Sequence, residues 1–358
     1  MNEKLKIGIV GAGGIVAETL IKLLNRHKYS EIKYLVSETF VGKSVNEIHR
    51  SLFEMKDIKF CSYDKTELVK NCDVIFVIKH HGESVNIIKE LFDELFLSTN
   101  DKQLNNKKLI IDFSADFRFK DINIYKKWYG FTGDFPQYIL EDTVYGLCEI
   151  YDKKIVTARV IANPGCYPTS AILGIAPLLK NNMIEQGPII IDSYSGVSGA
   201  GVSPKHSDRN LAVNVIDNIF PYDISNHRHL PEIEQEFSYL YGKELKVIFV
   251  PHIVGFKYGI CTTIFVKLKQ VNFNNLVDLY NSFYNGKKFI RIYNENVPRL
   301  QDVVGTNYCD IGIKLDGRTN ICIITVMIDN IIKGAAGQAI QNMNIAFKLK
   351  EETGLLLD

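Results

Sequence analysis

The feature that most constrains the fold of this chain is a short apolar run that ends in a cluster of glycines. Lys6 to Val10 predicts a buried strand, Gly11-Ala12-Gly13-Gly14 follows it directly, and a helical pattern continues to about Asn25. Glycines at such a turn let a pyrophosphate approach the backbone at the positive end of the helix. The segment therefore predicts the first βαβ unit of a dinucleotide-binding sheet, with a glycine-rich turn of some other α/β protein as the alternative.

The rest of the chain predicts two domains. Strand-like runs at 32–36, 73–78 and 109–113, with a helical segment from Ser84 to about Phe96, continue the alternation of strand and helix that builds a parallel sheet. After Cys166 the β-branched runs lie further apart, which favours an α+β domain with a large mixed sheet. We expect α/β architecture: a Rossmann-type dinucleotide-binding domain at 1–164, completed by a C-terminal helix at 331–358. We expect residues 165–330 to form a second domain that carries the catalytic and substrate-binding residues and the oligomerisation surface.

Composition narrows the class of protein. The chain has 358 residues, 46% of them hydrophobic and 23% charged, and a formal net charge of +1. We therefore expect a globular protein without general attraction to nucleic acid or membranes. The seven cysteines are scattered and contain no Cys-x-x-Cys pair, which favours the cytoplasm over an oxidising compartment and argues against disulfides or structural zinc.

One cysteine stands apart from the others. Cys166 lies in the octapeptide Ala-Asn-Pro-Gly-Cys-Tyr-Pro-Thr (162–169), after a Pro-Gly turn and before an apolar run with helical spacing. A thiol at a helix start faces unpaired backbone N–H groups and the positive end of the helix dipole, which favour the thiolate. The thiolate is the nucleophilic form. A small buried hydrophobic side chain is the alternative interpretation.

A second cluster, His227-Arg228-His229, precedes a predicted helix. We choose His229 as the catalytic acid/base and keep His227 as the alternative, with Glu232 able to orient an imidazole. Structural histidines are the competing interpretation. A zinc site formed by His227, His229 and His252 is a weaker alternative, because no matching carboxylate or thiolate set accompanies them.

The end of the second strand bears on the choice of nicotinamide. Ser37 and Glu38 stand there, and an acidic side chain at this place bonds the ribose 2′-hydroxyl of NAD and repels the 2′-phosphate of NADP. Lys43 and Arg50 are near in sequence and could offset that charge. The residues alone favour NAD.

Several motifs in one order give a more specific indication. They are Ile111–Arg118, Tyr145–Glu149, residues 162–169, Ser195–Gly201, His227–Gln235, Pro251-His252, Gly305–Asp310 and Asp329–Gln338. With these segments the chain resembles, nearly end to end, the N-acetyl-γ-glutamyl-phosphate reductases of the aspartate-semialdehyde-dehydrogenase-like group.

The resemblance implies a function. Such an enzyme reduces N-acetyl-γ-glutamyl phosphate with NADP to N-acetylglutamate 5-semialdehyde and phosphate, through a cysteine thioester, in arginine biosynthesis. The same chemistry on aspartyl phosphate or a carrier-linked aminoadipyl phosphate is the alternative. Glu38 keeps NAD open as the cofactor. The expected partners are the small acyl phosphate and further copies of the chain, as a homodimer or homotetramer.

The resemblance and the residue chemistry together give a set of candidate site residues, with no metal ligands among them. Cys166 and His229 are the catalytic pair. Substrate binding is assigned to Arg118, Ser195, Ser198, His227, Arg228 and Glu232. Cofactor binding is assigned to Gly11, Gly13, Gly14, Ile15, Val16, Ser37, His81, Gly196, Gly199, Asn330, Gly334 and Gln338.

The chain departs from the family pattern on the cofactor side. Val16-Ala17 replaces a usual Thr-Gly, and Glu38 stands where many members have a basic residue. Lys79-His80-His81-Gly82 replaces the usual Leu-Pro-His-Gly.

Overall fold

A computed structural model describes residues 3–97, 107–200, 215, 217–269, 272–294 and 296–356. The chain forms two compact units: Met1–Pro164 together with Ala335–Asp358 (unit 1), and Gly165–Gly334 (unit 2). The C-terminal segment of unit 1 begins at Ala335. In the described part of the chain, no helix combines the length and apolar character needed to cross a bilayer.

Unit 1 is built on the predicted parallel sheet. Its seven strands run in the order β3-β2-β1-β4-β5-β7-β6, and every neighbouring pair is parallel. The strands are β1 (Leu5–Val10), β2 (Ser30–Val36), β3 (Phe60–Cys61), β4 (Val74–Val77), β5 (Leu109–Asp112), β6 (Thr143–Tyr145) and β7 (Val160–Ala162). β1 lies between β2 and β4, so the turns that follow these three strands meet at one edge of the sheet.

The helices of unit 1 connect these strands. They are α1 (Ile15–Arg26), α2 (Val45–Ile48), α3 (Lys65–Asn71), α4 (Ser84–Phe92), α5 (Ile122–Tyr129), α6 (Gln137–Asp142), α7 (Cys148–Ile155) and, from the C-terminal segment, α11 (Gly337–Ala346). Side-chain caps start two of them, because Asp64 accepts the Glu67 amide and Asp121 accepts the Asn123 amide. A π-helical turn, Asp93–Leu97, prolongs α4. α11 is buried along its whole length.

Unit 2 contains the predicted mixed sheet. Its strands are ordered β12-β13-β14-β11-β8-β10-β9, with parallel pairing in β12-β13 and β8-β10 and antiparallel pairing elsewhere. The elements are α8 (Cys166–Lys180), β8 (Ile189–Gly196), β9 (Ile219–Pro221), α9 (Leu230–Tyr241), β10 (Val247–Val254), β11 (Ile260–Lys267), α10 (Phe273–Phe283), β12 (Ile290–Tyr293), β13 (Cys309–Asp316) and β14 (Ile321–Ile328).

Helix α8 is the core of unit 2, with residues 167–179 all buried. Gly174 allows this close packing, because a Cβ there would lie 2.7 Å from Val326 and 3.0 Å from Ile264. Polar groups on the contact face are paired: the Thr262 hydroxyl lies 2.8 Å from that of Ser170 and 2.9 Å from that of Ser193. The helix is therefore fixed against β8, β11 and β14 by both packing and hydrogen bonds.

A proline inside α8 is compensated by a distant tyrosine. Pro177 has no N–H to donate to the carbonyl of Leu173, one turn earlier. The Tyr284 hydroxyl, beyond the end of α10, donates to that carbonyl instead. The buried acceptor that the proline would orphan is thus satisfied by a side chain.

We predict that Tyr284→Phe lowers the free energy of unfolding by about 1–3 kcal/mol, the cost of leaving a buried carbonyl unsatisfied. Urea denaturation of the full chain measures this change. In a Pro177→Ala background the helix regains its own donor, so the same substitution should cost clearly less. Equal costs in both backgrounds would refute the compensation.

Candidate active site

The first turn of α8 presents the candidate nucleophile. Cys166 is the first residue of the helix and is half-buried, and its N-cap, Gly165, has no side chain to cap the helix. The N–H groups at the start of an α-helix have no acceptor within the helix and carry the positive end of its dipole. Cys166 therefore lies at a helix start, as predicted from the sequence. Its role as a thiolate nucleophile stays a prediction.

A buried carboxylate joins the starts of two helices. Glu232, in the first turn of α9, is fully buried, and its Oε1 accepts the Gly165 amide at 2.9 Å. His229 is the N-cap of α9. This one hydrogen bond brings the helix start that carries Cys166 next to the helix start that carries His229. Glu232 acts on the backbone beside the nucleophile; its predicted contact with substrate stays a prediction.

The segment that ends unit 2 also packs against Cys166. A Cβ added to Gly334 would lie 2.7 Å from the Cβ of Cys166. The Gly334 amide donates to the carbonyl of Asp329 at 2.9 Å, within a π-helical turn at Ile332–Ala336. The Asp329 carboxylate accepts the amides of Gly305, Ile331 and Ile332. The absence of a side chain at Gly334 thus leaves room for Cys166. The cofactor role of Gly334 stays a prediction.

His227 is locked by a chain of hydrogen bonds. Its Nδ1 accepts the His229 amide at 3.1 Å, and its Nε2 lies 3.3 Å from the Tyr222 hydroxyl, which donates to the Tyr167 hydroxyl. The Tyr167 hydroxyl donates to the carbonyl of His252. Burial, aided by the nearby Arg228 charge, lowers the pKa of His227 to about 3. A neutral imidazole with both nitrogens engaged is poorly suited to carry a proton, which favours His229 over His227.

The three histidines considered as zinc ligands do not form a metal centre. His252 lies on β10 with its Nδ1 3.1 Å from Asp192, whereas His227 faces Tyr222. Across the described ranges, no group of three or more His, Cys, Asp or Glu side chains is placed to hold a metal ion.

The glycine-rich loop after β8 is held by Asn330. The Asn330 side chain accepts the Gly259 amide at 2.6 Å and donates to the Ser198 hydroxyl at 3.0 Å. Gly199 and Gly196 are closely packed, since an added Cβ would lie 2.6 Å from the Ser195 hydroxyl and 2.7 Å from the Lys257 carbonyl, respectively. Gly201 of this motif lies outside the described residues. The structure shows an ordered loop at 195–199; its contacts with substrate and cofactor stay predictions.

In unit 1 the glycine turn has the geometry that a dinucleotide requires. Gly11 has φ +85°, and a Cβ there would lie 2.0 Å from the Ile78 carbonyl, so only glycine fits. Gly14 is the N-cap of α1, has no capping side chain, and has open space where a Cβ would be. The amides of Ile15 and Val16 begin the helix and have no intrahelical acceptor. A phosphate fits this helix end.

Two further residues that were predicted to bind the cofactor, Ser37 and Gln338, also lie in unit 1. The Ser37 hydroxyl lies 3.6 Å from the point where a Cβ of Gly13 would be, which places it beside the turn. Gln338 is fully buried, donates to the Gly146 carbonyl at 2.8 Å, and has no hydrogen-bond partner for its amide oxygen among the described residues. Because protein atoms already cover this oxygen, the cofactor role of Gln338 stays a prediction.

Arg118 is tied to the backbone of its own unit. Its Nε donates to the Asn163 carbonyl and one terminal nitrogen donates to the Phe113 carbonyl, each at 2.8 Å. Asn163 in turn donates to the Ala335 carbonyl at 3.0 Å. The guanidinium therefore braces the Asn163-Pro164 segment that precedes the nucleophile. The predicted grip on substrate stays a prediction for Arg118 and for the exposed Arg228.

The His81 loop is anchored by a residue that the sequence did not single out. Asp116 accepts the Gly82 amide at 2.8 Å and the Tyr125 hydroxyl at 2.6 Å, and burial raises its pKa. The His81 ring packs edge-on against Tyr129. The spacing of Asp112, Ser114 and Asp116 at the end of a strand was the available signal. The Ser114 hydroxyl donates to the Asp112 carboxylate and accepts the backbone amide of Asp116.

Comparison with known proteins defines the class. Residues 6–158 match a family model described as "Semialdehyde dehydrogenase, NAD binding domain", and residues 166–330 match one described as "Semialdehyde dehydrogenase, dimerisation domain". Fold, site and both matches define an oxidoreductase of the semialdehyde dehydrogenase type.

Two curated relatives are more specific, and both are called N-acetyl-gamma-glutamyl-phosphate reductase. That of Caldicellulosiruptor saccharolyticus is 43% identical over 99% of this chain and 98% of its own. That of Thermoanaerobacter pseudethanolicus is 40% identical over 98% of both. The chain belongs to the N-acetyl-gamma-glutamyl-phosphate reductase family, which confirms the resemblance seen in the sequence motifs.

Solved structures share the fold at lower identity. Aspartate semialdehyde dehydrogenase II from Vibrio cholerae has a TM-score of 0.70 and 18% identity, covering 97% of this chain and 99% of that chain. Aspartate semialdehyde dehydrogenase with NADP from Candida albicans has a TM-score of 0.66 and 17% identity, covering 96% and 98%. Both confirm the predicted fold class.

We predict that Gly334→Ala slows the alkylation of Cys166 by iodoacetamide and lowers reductase activity, because the new methyl group displaces the cysteine. Mass spectrometry of the modified peptide separates Cys166 from the other thiols. Gly187→Ala is the matched control, since a Cβ there meets nothing within 4 Å among the described residues. An unchanged alkylation rate in the Gly334 variant would refute the contact.

The lowered pKa of His227 predicts acid sensitivity of the fold. In the unfolded chain His227 has its ordinary pKa of 6.5 and binds a proton below that pH, whereas in the folded chain it stays neutral down to about pH 3. The free energy of unfolding therefore falls as the pH falls below 6.5. Between pH 7 and pH 5 this costs about 2 kcal/mol. Urea denaturation at both pH values measures the loss in free energy of unfolding. That loss should be smaller by this amount in His227→Gln than in the wild type. The same substitution at exposed His80 is the control; an unchanged loss in His227→Gln would contradict the prediction.

Proposed function

We propose that this chain reduces N-acetyl-gamma-glutamyl phosphate with NADP to N-acetylglutamate 5-semialdehyde and phosphate, through a thioester on Cys166, in arginine biosynthesis. The observation that carries the proposal is Cys166 at the first position of a helix whose N-cap has no side chain. The names of relatives at 40–43% identity over nearly the full chain support this substrate over aspartyl or aminoadipyl phosphate.

Unit 1 is the proposed cofactor domain. The backbone from Gly11 to Val16 would hold the pyrophosphate, Ser37 would face the adenosine ribose, and Gln338 offers its buried amide oxygen as an acceptor. When bound, the reduced nicotinamide supplies the hydride that the thioester accepts.

Unit 2 is the proposed catalytic domain, and Cys166 performs the first step. Its thiolate attacks the acyl carbon, a C–S bond forms, and the C–O bond to phosphate breaks to release inorganic phosphate. The amides at the start of α8 lie at the same helix end and would stabilise the oxyanion that forms during attack. After reduction, the thiohemiacetal hydroxyl gives its proton to His229, the C–S bond breaks, and the aldehyde leaves while the sulfur returns to the thiolate form.

His229 is the proposed proton carrier. It is half-buried at the start of α9, the helix that Glu232 joins to the start of α8. It would take the thiol proton from Cys166 before attack and return a proton to the substrate oxygen during reduction. Arg228 is exposed beside it and is the proposed contact for substrate carboxylate or phosphate, with Ser195 and Ser198 on the neighbouring loop.

A second copy of the chain is the proposed partner of unit 2, as a homodimer or a tetramer built from dimers. Alternate residues of the sheet point away from α8 and are half-buried or exposed although apolar: Ile190 on β8, Ile248 and Val250 on β10, Phe265 on β11 and Ile323 on β14. An apolar sheet face of this kind fits burial against another copy. The cytoplasm is the proposed location, since all seven cysteines are free thiols.

We predict that Cys166→Ser abolishes turnover while dinucleotide binding persists, because the nucleophile and the glycine turn belong to different units. The assay runs in reverse, with N-acetylglutamate 5-semialdehyde, phosphate and either NADP or NAD, and follows absorbance of the reduced nicotinamide. Cys261→Ser, at a half-buried cysteine on β11, is the control. Near wild-type turnover of the Cys166 variant would overturn the proposed mechanism.

The same assay tests the role of His229 as the acid/base. His229→Asn should slow turnover by about 10²–10⁴-fold, the range expected for loss of a general acid/base. An unchanged rate would remove His229 from the mechanism.

A further inference from the structure

An ion pair crosses the edge of the parallel sheet beside the glycine turn. Glu38 follows β2 by two residues and Lys79 follows β4 by two residues, and these strands are the two neighbours of β1. The Lys79 ammonium lies 2.9 Å from the Glu38 carboxylate. The pair therefore links the two strand ends that flank Gly11.

This ion pair changes the electrostatics of the adenosine end of the site. A lone carboxylate after β2 repels a 2′-phosphate and favours a 2′-hydroxyl. Lys79 neutralises Glu38, and a second ammonium lies close by: Lys43 is 5.9 Å from the ring centroid of Phe40, whose ring packs against Gly13. Lys79 therefore offsets the charge of Glu38, and Lys43 places a second positive charge near the glycine turn.

The two partners differ in exposure, and this decides which one moves. Glu38 is 75% exposed and Lys79 19% exposed. An ion pair with an exposed partner is weak, so a phosphate with nearly two negative charges can compete for the ammonium. The more buried Lys79 side chain therefore has less room to move than the exposed Glu38 side chain.

We propose that Lys79 is the specificity-determining cation for the 2′-phosphate of NADP, and that Glu38 positions it and is displaced when the phosphate binds. The preference for NADP over NAD would then be set by a residue after β4. It would not be set by the acidic residue after β2, which by itself favours NAD. The proposal rests on the proposed function only in requiring that a dinucleotide binds at the glycine turn.

Fluorescence titration with NADPH, NADH and the fragment 2′,5′-ADP tests this in the full chain. Lys79→Met should weaken NADPH and 2′,5′-ADP by about tenfold or more, the scale of one charge-assisted contact, and leave NADH nearly unchanged. Glu38→Gln should tighten NADPH several-fold, since the competing carboxylate is gone. Lys33→Met is the control, because Lys33 also forms an ion pair with a glutamate, Glu31, within β2.

The outcomes separate this inference from the proposed function. Equal weakening of NADPH and NADH by Lys79→Met, no weakening of either, or weaker NADPH binding in Glu38→Gln would overturn the role of Lys79. If the role of Lys79 is overturned but the wild type binds both dinucleotides and Cys166→Ser still blocks turnover, the proposed function is unaffected. A wild type that binds neither dinucleotide would instead overturn the proposed function itself.

Discussion

The hydrogen bond between the Glu232 carboxylate and the Gly165 amide is the interaction on which the site of unit 2 depends. Burying a carboxylate is costly unless it is hydrogen-bonded or faces positive charge. Glu232 satisfies both conditions, because it accepts an amide and lies at the positive ends of two helices. The positions of Cys166 and His229 follow from it, since each stands at the start of one of those helices.

Much of the fold could be predicted because its signals are local. The glycine turn after β1 and the long β-branched strands β8, β11 and β14 need only neighbouring residues to be recognised. The strands β3, β6 and β7 have two or three residues each, too few to show a period. Pairing with a neighbour in the sheet makes them strands, and that information is absent from the local sequence.

The candidate site also contains residues whose position a local signal predicts and residues whose partners are distant in the sequence. Cys166 at a helix start follows from a Pro-Gly turn and an apolar run, whereas the partners of Arg118 and Asn330 lie far along the chain. For both residues the predicted ligand contact competes with a structural role that only the fold could reveal. The long-range pairing of Glu38 with Lys79 was equally hidden, although both departures from the family pattern were visible in the sequence.

The contact of Gly334 with Cys166 has a topological consequence. Unit 2 begins at Gly165 and ends at Gly334, so the two ends of this unit meet beside Cys166. Both peptide connections to unit 1 therefore leave from one place. Adjacent ends are expected of a domain that is inserted as one piece into another domain, and here the insertion point lies at the proposed nucleophile.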